Sequence, residues 1–129
     1  MAITYLDASA IVKLVLHEPE SEALINYLDG TSEVETSELA IPEVGRAVRR
    51  VVPDFDPTDA MDGIVLHRVT PDVLRLAARL QPTGMRTLDA IQLASALTPG
   101  SGDTQMITYD ARLAEAARAH GLRVVQPGR

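Results

Sequence analysis

The chain switches repeatedly between two hydrophobic periods. Residues 2–6 (AITYL) form a short apolar run that ends at Asp7, the pattern of a buried strand. Residues 9–18 (SAIVKLVLHE) follow helical spacing with Ser9 as a candidate cap. The stretch EPESEALINYL predicts a second helix with a proline near its start. A short strand is expected at 33–36 (EVET), and Ser37 leads into a helix over ELAIPEVGRAVRRV. Pro42 falls about one turn inside that helix, so either its start is irregular or it begins later than Ser37.

Residues 57–65 (PTDAMDGIV) read as a helix, and LHRV (66–69) as a strand. Thr70 and Pro71 supply a cap and first-turn pair for the helix PDVLRLAARL. After a turn at Pro82–Gly84, Thr87 is a candidate cap for LDAIQLASAL, where Leu88, Ile91, Ala94 and Ser95 share a face. TPGSGD reads as a loop, QMITY as a strand, DARLAEAARAH as a helix closed by Gly121, and LRVV as a last strand. Alternating strands and helices predict an α/β fold with a mostly parallel sheet of four to five strands, covered on both faces. With no internal repeat or linker, residues 1–129 are expected to form a single domain.

Composition narrows the class. Hydrophobic residues make up 46% and charged residues 23%, which argues against disorder and collagen-like repetition. The first apolar run is interrupted by Asp7 and Lys13 and has no basic leader, so it does not read as a secretory signal. No apolar stretch approaches the roughly 20 residues of a membrane span. Cysteine is absent, which excludes disulfides and thiolate zinc sites and suits a cytoplasmic protein. The net charge of −6 argues against a simple phosphate-coating nucleic-acid binder. A carboxylate pocket loaded with a divalent metal would present a far less negative surface. Among the basic residues, Lys13 is the single lysine beside eleven arginines, and arginine offers bidentate phosphate contacts.

Four acids stand out by position. Asp7 follows the first strand, and Asp110 follows the QMITY strand. Ligands gather beyond the carboxyl ends of strands in such sheets, so these two acids are expected on one rim. Asp89 lies in the first turn of the LDAIQLASAL helix, and Glu43 in the helix after the second strand. Carboxylates brought this close repel one another unless a cation lies between them. An all-oxygen set suits magnesium or manganese, not zinc. Each acid also has an ordinary role: Asp7 and Asp110 as helix caps, Asp89 as a partner of the helix dipole, Glu43 as a surface residue paired with Arg46 or Arg50.

The segments ITYLDASAIVKL, TSELAIPEVGRAVRR, RTLDAIQLASAL and ITYDARLAEAARAHGL occur in that order. Together they resemble the PIN-domain family, most closely its VapC-type toxin branch, from Ile3 to about Val125. The resemblance implies a three-layer α/β/α fold and an endoribonuclease that uses one or two magnesium or manganese ions. It also implies hydrolysis by metal-activated water, leaving 5′-phosphate and 3′-hydroxyl ends. By position it makes Asp7, Glu43, Asp89 and Asp110 the metal-holding and catalytic acids, with Glu38 the near neighbour confusable with Glu43. Ser9 and Thr108 match hydroxyl positions that support the acids, their alternative roles being capping and strand packing.

Arg46, Arg50 and Arg86 recur near these acids and are candidate contacts for RNA phosphates, although a solvated helix face is the more common explanation for such residues and the preferred one for Arg49. With aromatic residues at 3%, base-stacking platforms are nearly absent. The resemblance further implies a homodimer and a VapB-like antitoxin whose C-terminal segment covers the site. AIVKLV and ALINYL are candidate surfaces for such contacts, with core packing as the alternative.

Pro42 and Gly45, on either side of Glu43, are disfavoured inside a helix. A haloacid-dehalogenase-like phosphatase would want a second acid two residues after Asp7, where Ser9 stands. A receiver domain would need an acid cluster and a late lysine. A Walker loop would need Gly-Lys-Ser/Thr, which Gly100-Ser101-Gly102 does not provide. A PIN-like module that binds RNA or a partner without cleaving remains the alternative.

Overall fold

The computed structural model describes residues 2–31, 33–98 and 103–129. The expected TPGSGD loop and the Gly100–Gly102 stretch fall largely outside them. Five strands form one sheet: β1 (Ile3–Leu6), β2 (Glu33–Ser37), β3 (Val65–His67), β4 (Thr104–Ile107) and β5 (Arg123–Val125). Their spatial order is β3-β2-β1-β4-β5, and every pairing is parallel. The chain therefore reverses its direction of winding between β1 and β4, where an open α/β sheet leaves a crevice at the strands' carboxyl ends.

Register sorts the core. Tyr5 pairs with Met106 and Leu6 with Ile107. Because side chains alternate along a strand, Tyr5 and Met106 enter one hydrophobic layer while Leu6 and Ile107 enter the other. The first layer is closed by α4 (Pro71–Arg79), α5 (Thr87–Leu97) and α6 (Ala111–Ala119) through Val73, Leu93 and Leu113. The second is closed by α1 (Ala8–Val15), α2 (Ser21–Asp29) and α3 (Ala40–Val48) through Ile11, Leu24 and Val44. Each fully buried side chain of this kind contributes about 1.5–3 kcal/mol. The result is the expected three-layer α/β/α arrangement.

Several local expectations are corrected. Ser9 does not cap α1; Asp7 does, its Oδ1 accepting the Ala10 N–H. Thr87 is the first residue of α5 and Arg86 holds the cap position without a side-chain bond. Helix α2 starts at Ser21, and α3 starts at Ala40, so Pro42 sits in the first turn where its missing N–H costs no helical bond. Gly45 has a packing reason, since a Cβ there would lie 3.1 Å from Pro57 Cγ. Residues 57–65 do not form one helix. Asp56 caps a 3₁₀ turn over Pro57–Met61, and Gly63 then takes φ +77°, a left-handed conformation that ends it.

Strand β3 is shifted to Val65–His67, and β4 stops at Ile107. On α5, Leu88 is 49% exposed while Ala90 and Leu93 to Ala96 are buried, because the helix lies between α4 and α6. Other expectations hold: Thr70 Oγ1 caps α4, and Gly121 at φ +87° follows α6. The apolar side chains of α1 and α2 mostly pack inward, with Ile25 exposed.

Candidate active site

At the crevice between β1 and β4, the backbone leaves the sheet ladder and bonds to side chains instead. The Tyr109 N–H donates to Ser9 Oγ (2.9 Å) and the Asp110 N–H to Thr108 Oγ1 (3.1 Å). Gln126 Nε2 holds the Thr108 carbonyl at 2.9 Å. This leaves both hydroxyls free to donate to one acceptor, Asp7. Ser9 Oγ reaches Asp7 Oδ1 at 2.6 Å and Thr108 Oγ1 reaches Asp7 Oδ2 at 2.6 Å. Asp7 is 4% exposed and both its oxygens are engaged.

Burial pushes the Asp7 carboxyl up to about 6, a rise opposed by the Ser9 and Thr108 hydroxyls and the Ala10 N–H and reinforced by the charge of Asp110. Glu43, in the first turn of α3, is also raised, first by burial and then by Asp7 and Asp89, against its hydrogen bond from Gln92. Asp89, in the first turn of α5, is raised by burial and Asp110 and lowered by Arg86 and Arg112. Four acids from four parts of the chain thus act on one another in a closed circuit: Asp110–Asp7–Glu43–Asp89–Asp110. Asp110 has a second task, capping α6 through Leu113 N–H (2.9 Å).

Among the described residues, no three or more His, Cys, Asp or Glu side chains are drawn together tightly enough to hold a metal ion. The donor set nevertheless fits a hard divalent cation. It is all oxygen, its members raise one another's pKa values on top of the larger effect of burial, and magnesium commonly keeps several waters while binding one or two carboxylates.

Glu38 stands apart from this circuit: its Oε1 accepts the Val69 N–H at 2.8 Å and fastens the segment after β3. Arg86 spans two acids at longer range, Nε to Asp89 Oδ2 at 3.6 Å and Nη2 to Asp110 Oδ2 at 3.9 Å. Arg46 and Arg50 are exposed and line a cleft of about 520 Å³ beside Gly45 and Pro57.

Sequence reasoning missed two residues behind Glu43. Buried Gln92 donates through Nε2 to Glu43 Oε1 (2.6 Å) and accepts from the Tyr5 hydroxyl at 2.5 Å. A polar residue three positions after Asp89, inside the apolar run LDAIQLASAL, was the available signal. Arg112, which acts on Asp89 from α6, was also missed.

A parallel α/β sheet with acids gathered over its switch point defines a known class of protein. The PIN domain family matches residues 4–119, and the chain belongs to that family. Within it, the chain groups with the VapC ribonucleases. It is 45% identical over 130 residues to Ribonuclease VapC35 of Mycobacterium tuberculosis, covering 96% of both chains. It is 41% identical over 138 residues to Ribonuclease VapC46 of the same species, covering 98% of this chain and 99% of the relative.

Among solved structures, the M. tuberculosis sarcin–ricin-loop-cleaving toxin VapC20 shares the fold with TM-score 0.75 at 17% identity, over 96% of this chain and 99% of that one. A toxin–antitoxin complex from Klebsiella pneumoniae does so with TM-score 0.72 at 18% identity, over 96% and 97%. Ribonucleases of the PIN family are generally metal-dependent.

Proposed function

We propose that this chain is a metal-dependent endoribonuclease and the toxin of a VapBC-type toxin–antitoxin pair. The observation that carries the reading is the circuit of Asp7, Glu43, Asp89 and Asp110 at the switch point of the sheet, with Asp7 buried and fixed by two hydroxyls. These four acids would hold the cation, magnesium or manganese by the hardness of their oxygen donors. When bound, such an ion activates water and offsets the charge that builds on a phosphodiester under attack.

The chain's own residues do the positioning. Ser9 and Thr108 lock the Asp7 carboxylate in one orientation, as outer partners of metal ligands commonly do. Gln92 aims Glu43 and is itself fixed by Tyr5. Arg46, Arg50 and Arg86 take phosphates of the RNA. A chain without cysteine suits the cytoplasm, where such a toxin meets RNA. We assign residues 1–129 to one domain, a homodimer as partner state, and a VapB-like antitoxin as inhibitor. An antitoxin arginine would find a natural counter-charge in the acidic circuit. Apolar side chains exposed on β3 and α5, Leu66 and Leu88, are candidates for covered surface in such assemblies.

The test is cleavage of total RNA by the purified, antitoxin-free chain with magnesium, with EDTA, and with the Asp7→Ala variant. Discrete cuts that need metal and vanish in the variant are expected. A folded chain that cuts nothing under any of these conditions would favour a PIN-like module that binds RNA or a partner without cleaving.

A further inference from the structure

Asp89, one of the four acids, lines a cleft of about 640 Å³ between the turn at 81–86 and α6. This is within the roughly 300–1,000 Å³ of sites that hold small organic molecules. His120 Nε2 lies 2.9 Å from the Gln81 carbonyl and ties the two walls together at the far end. Met85 and Ala116 give part of the lining an apolar surface on which a base could rest. The near end carries Arg86 and Arg112 beside Asp89.

Neither guanidinium is committed to a tight ion pair. Arg86 is 70% exposed and touches Asp89 and Asp110 only at 3.6 and 3.9 Å. Arg112 is exposed and acts on Asp89 through space. Once a cation satisfies the acids, both arginines can turn to an incoming anion. Glu115, three residues from Arg112 on α6, disfavours an anion at its own position, so a phosphate is steered towards the arginines.

We propose that this cleft is the subsite for the nucleotide next to the scissile phosphate, with Arg86 and Arg112 holding its phosphate and the Met85–Ala116 surface receiving its base. The inference rests on the ribonuclease reading and deepens it: RNA is engaged on the α5–α6 side of the acids, through a residue, Arg112, outside the acid circuit. Arg86 and Arg112 face Asp89 and Glu115 in the lining, and a cation on Asp89 would turn that balance positive, which favours a phosphate-bearing strand over a protein partner.

Binding and turnover are read separately. In the parent protein with magnesium, which serves as the background, affinity for a short fluorescein-labelled, cleavage-resistant phosphorothioate oligoribonucleotide of mixed sequence is measured by anisotropy. Arg112→Ala and Ala119→Trp, the latter an exposed position that fills the cleft, are compared with the background protein. Each is expected to weaken binding about tenfold, the scale of one charge-assisted phosphate contact. In turnover of unmodified RNA, each is expected to raise KM by a similar factor.

Unchanged affinity in both variants, with the background protein binding RNA, overturns the subsite and leaves the nuclease reading intact. Loss of antitoxin binding in Ala119→Trp with RNA affinity intact also overturns it and gives the cleft to the protein partner. Failure of the nuclease reading shows differently, as a parent chain that cuts no RNA with magnesium.

Discussion

Thr108 Oγ1 donates to Asp7 Oδ2 at 2.6 Å across 101 positions of sequence, from the end of β4 to the end of β1. Because β1 and β4 are neighbours, with Leu6 opposite Ile107, the bond closes the crevice at the one place where the sheet changes winding direction. Replacing the hydroxyl with a methyl group tests what this bond does. Thr108→Val keeps the shape of a fully buried side chain but removes one of the bonds that hold the Asp7 pKa down. RNA cleavage is expected to fall about 10–100-fold, and the acid limb of its pH profile to move upward. An unmoved pH profile would mean that Thr108 does not tune Asp7.

Asp7 itself is expected to oppose stability at neutral pH. Its carboxyl is raised from 3.8 to about 6 in the folded chain, so between those values the folded state holds a proton that the unfolded state has released. Stability contributed by that proton is present at low pH, falls as pH rises through the window, and is gone above about 6. A shift of about two units corresponds to roughly 3 kcal/mol. In EDTA at pH 7, Asp7→Asn should therefore melt several degrees above the parent, and at pH 4 the difference should shrink. A variant that melts lower at pH 7 would show that the carboxylate is not the burden its burial implies.

Added magnesium is expected to act in the opposite sense. A cation bound only by the folded chain stabilises by about 2.7 kcal/mol at 100 times its Kd. The parent's melting temperature should rise with magnesium at pH 7, and that of Asp7→Asn should rise much less. Equal rises in both would place the ion away from Asp7.

Gln92→Leu separates the orientation of Glu43 from its presence. The substitution removes the buried Tyr5 hydroxyl's bond to Gln92 and the bond to Glu43 Oε1, while Ser95 and Thr36 remain beside that hydroxyl. A loss of about 1 kcal/mol of stability is expected from the buried hydrogen bond removed. Cleavage should drop as well, measured well below the melting temperature, because Glu43 loses the contact that aims it. Full activity in a destabilised but folded Gln92→Leu would reduce Gln92 to a core residue.

Thr70→Ala is the matching control. It removes the cap that Thr70 Oγ1 gives to Val73 N–H at the start of α4. A stability loss of about 1 kcal/mol with unchanged specific activity is expected. A loss of activity at constant stability would tie α4 to the site.

The sequence by itself determined the class of fold, since hydrophobic period is a local property that survives without coordinates. Strand 2–6, the capped helix at Thr70 and the Gly121 stop could be read because each depends on a few adjacent residues. The same locality explains the errors. Ser9 looked like a cap, yet its hydroxyl is drawn to Asp7 and to the backbone of Tyr109, 100 residues away. Leu88 shared a helical face with Ile91, yet α4 and α6 cover α5 from two sides and leave Leu88 outside.

The acids divide in the same way. Asp7, Glu43, Asp89 and Asp110 could be nominated from position and resemblance, but each had an ordinary role available. Only the parallel order β3-β2-β1-β4-β5 brought them within one another's field and sent Glu38 to the backbone of Val69 instead. Gln92, Arg112 and the cleft beside them needed tertiary structure for the same reason. Hydrogen bonds and charges act over a few ångströms of space, and it is the packing of sheet against helices, not spacing along the chain, that sets those distances.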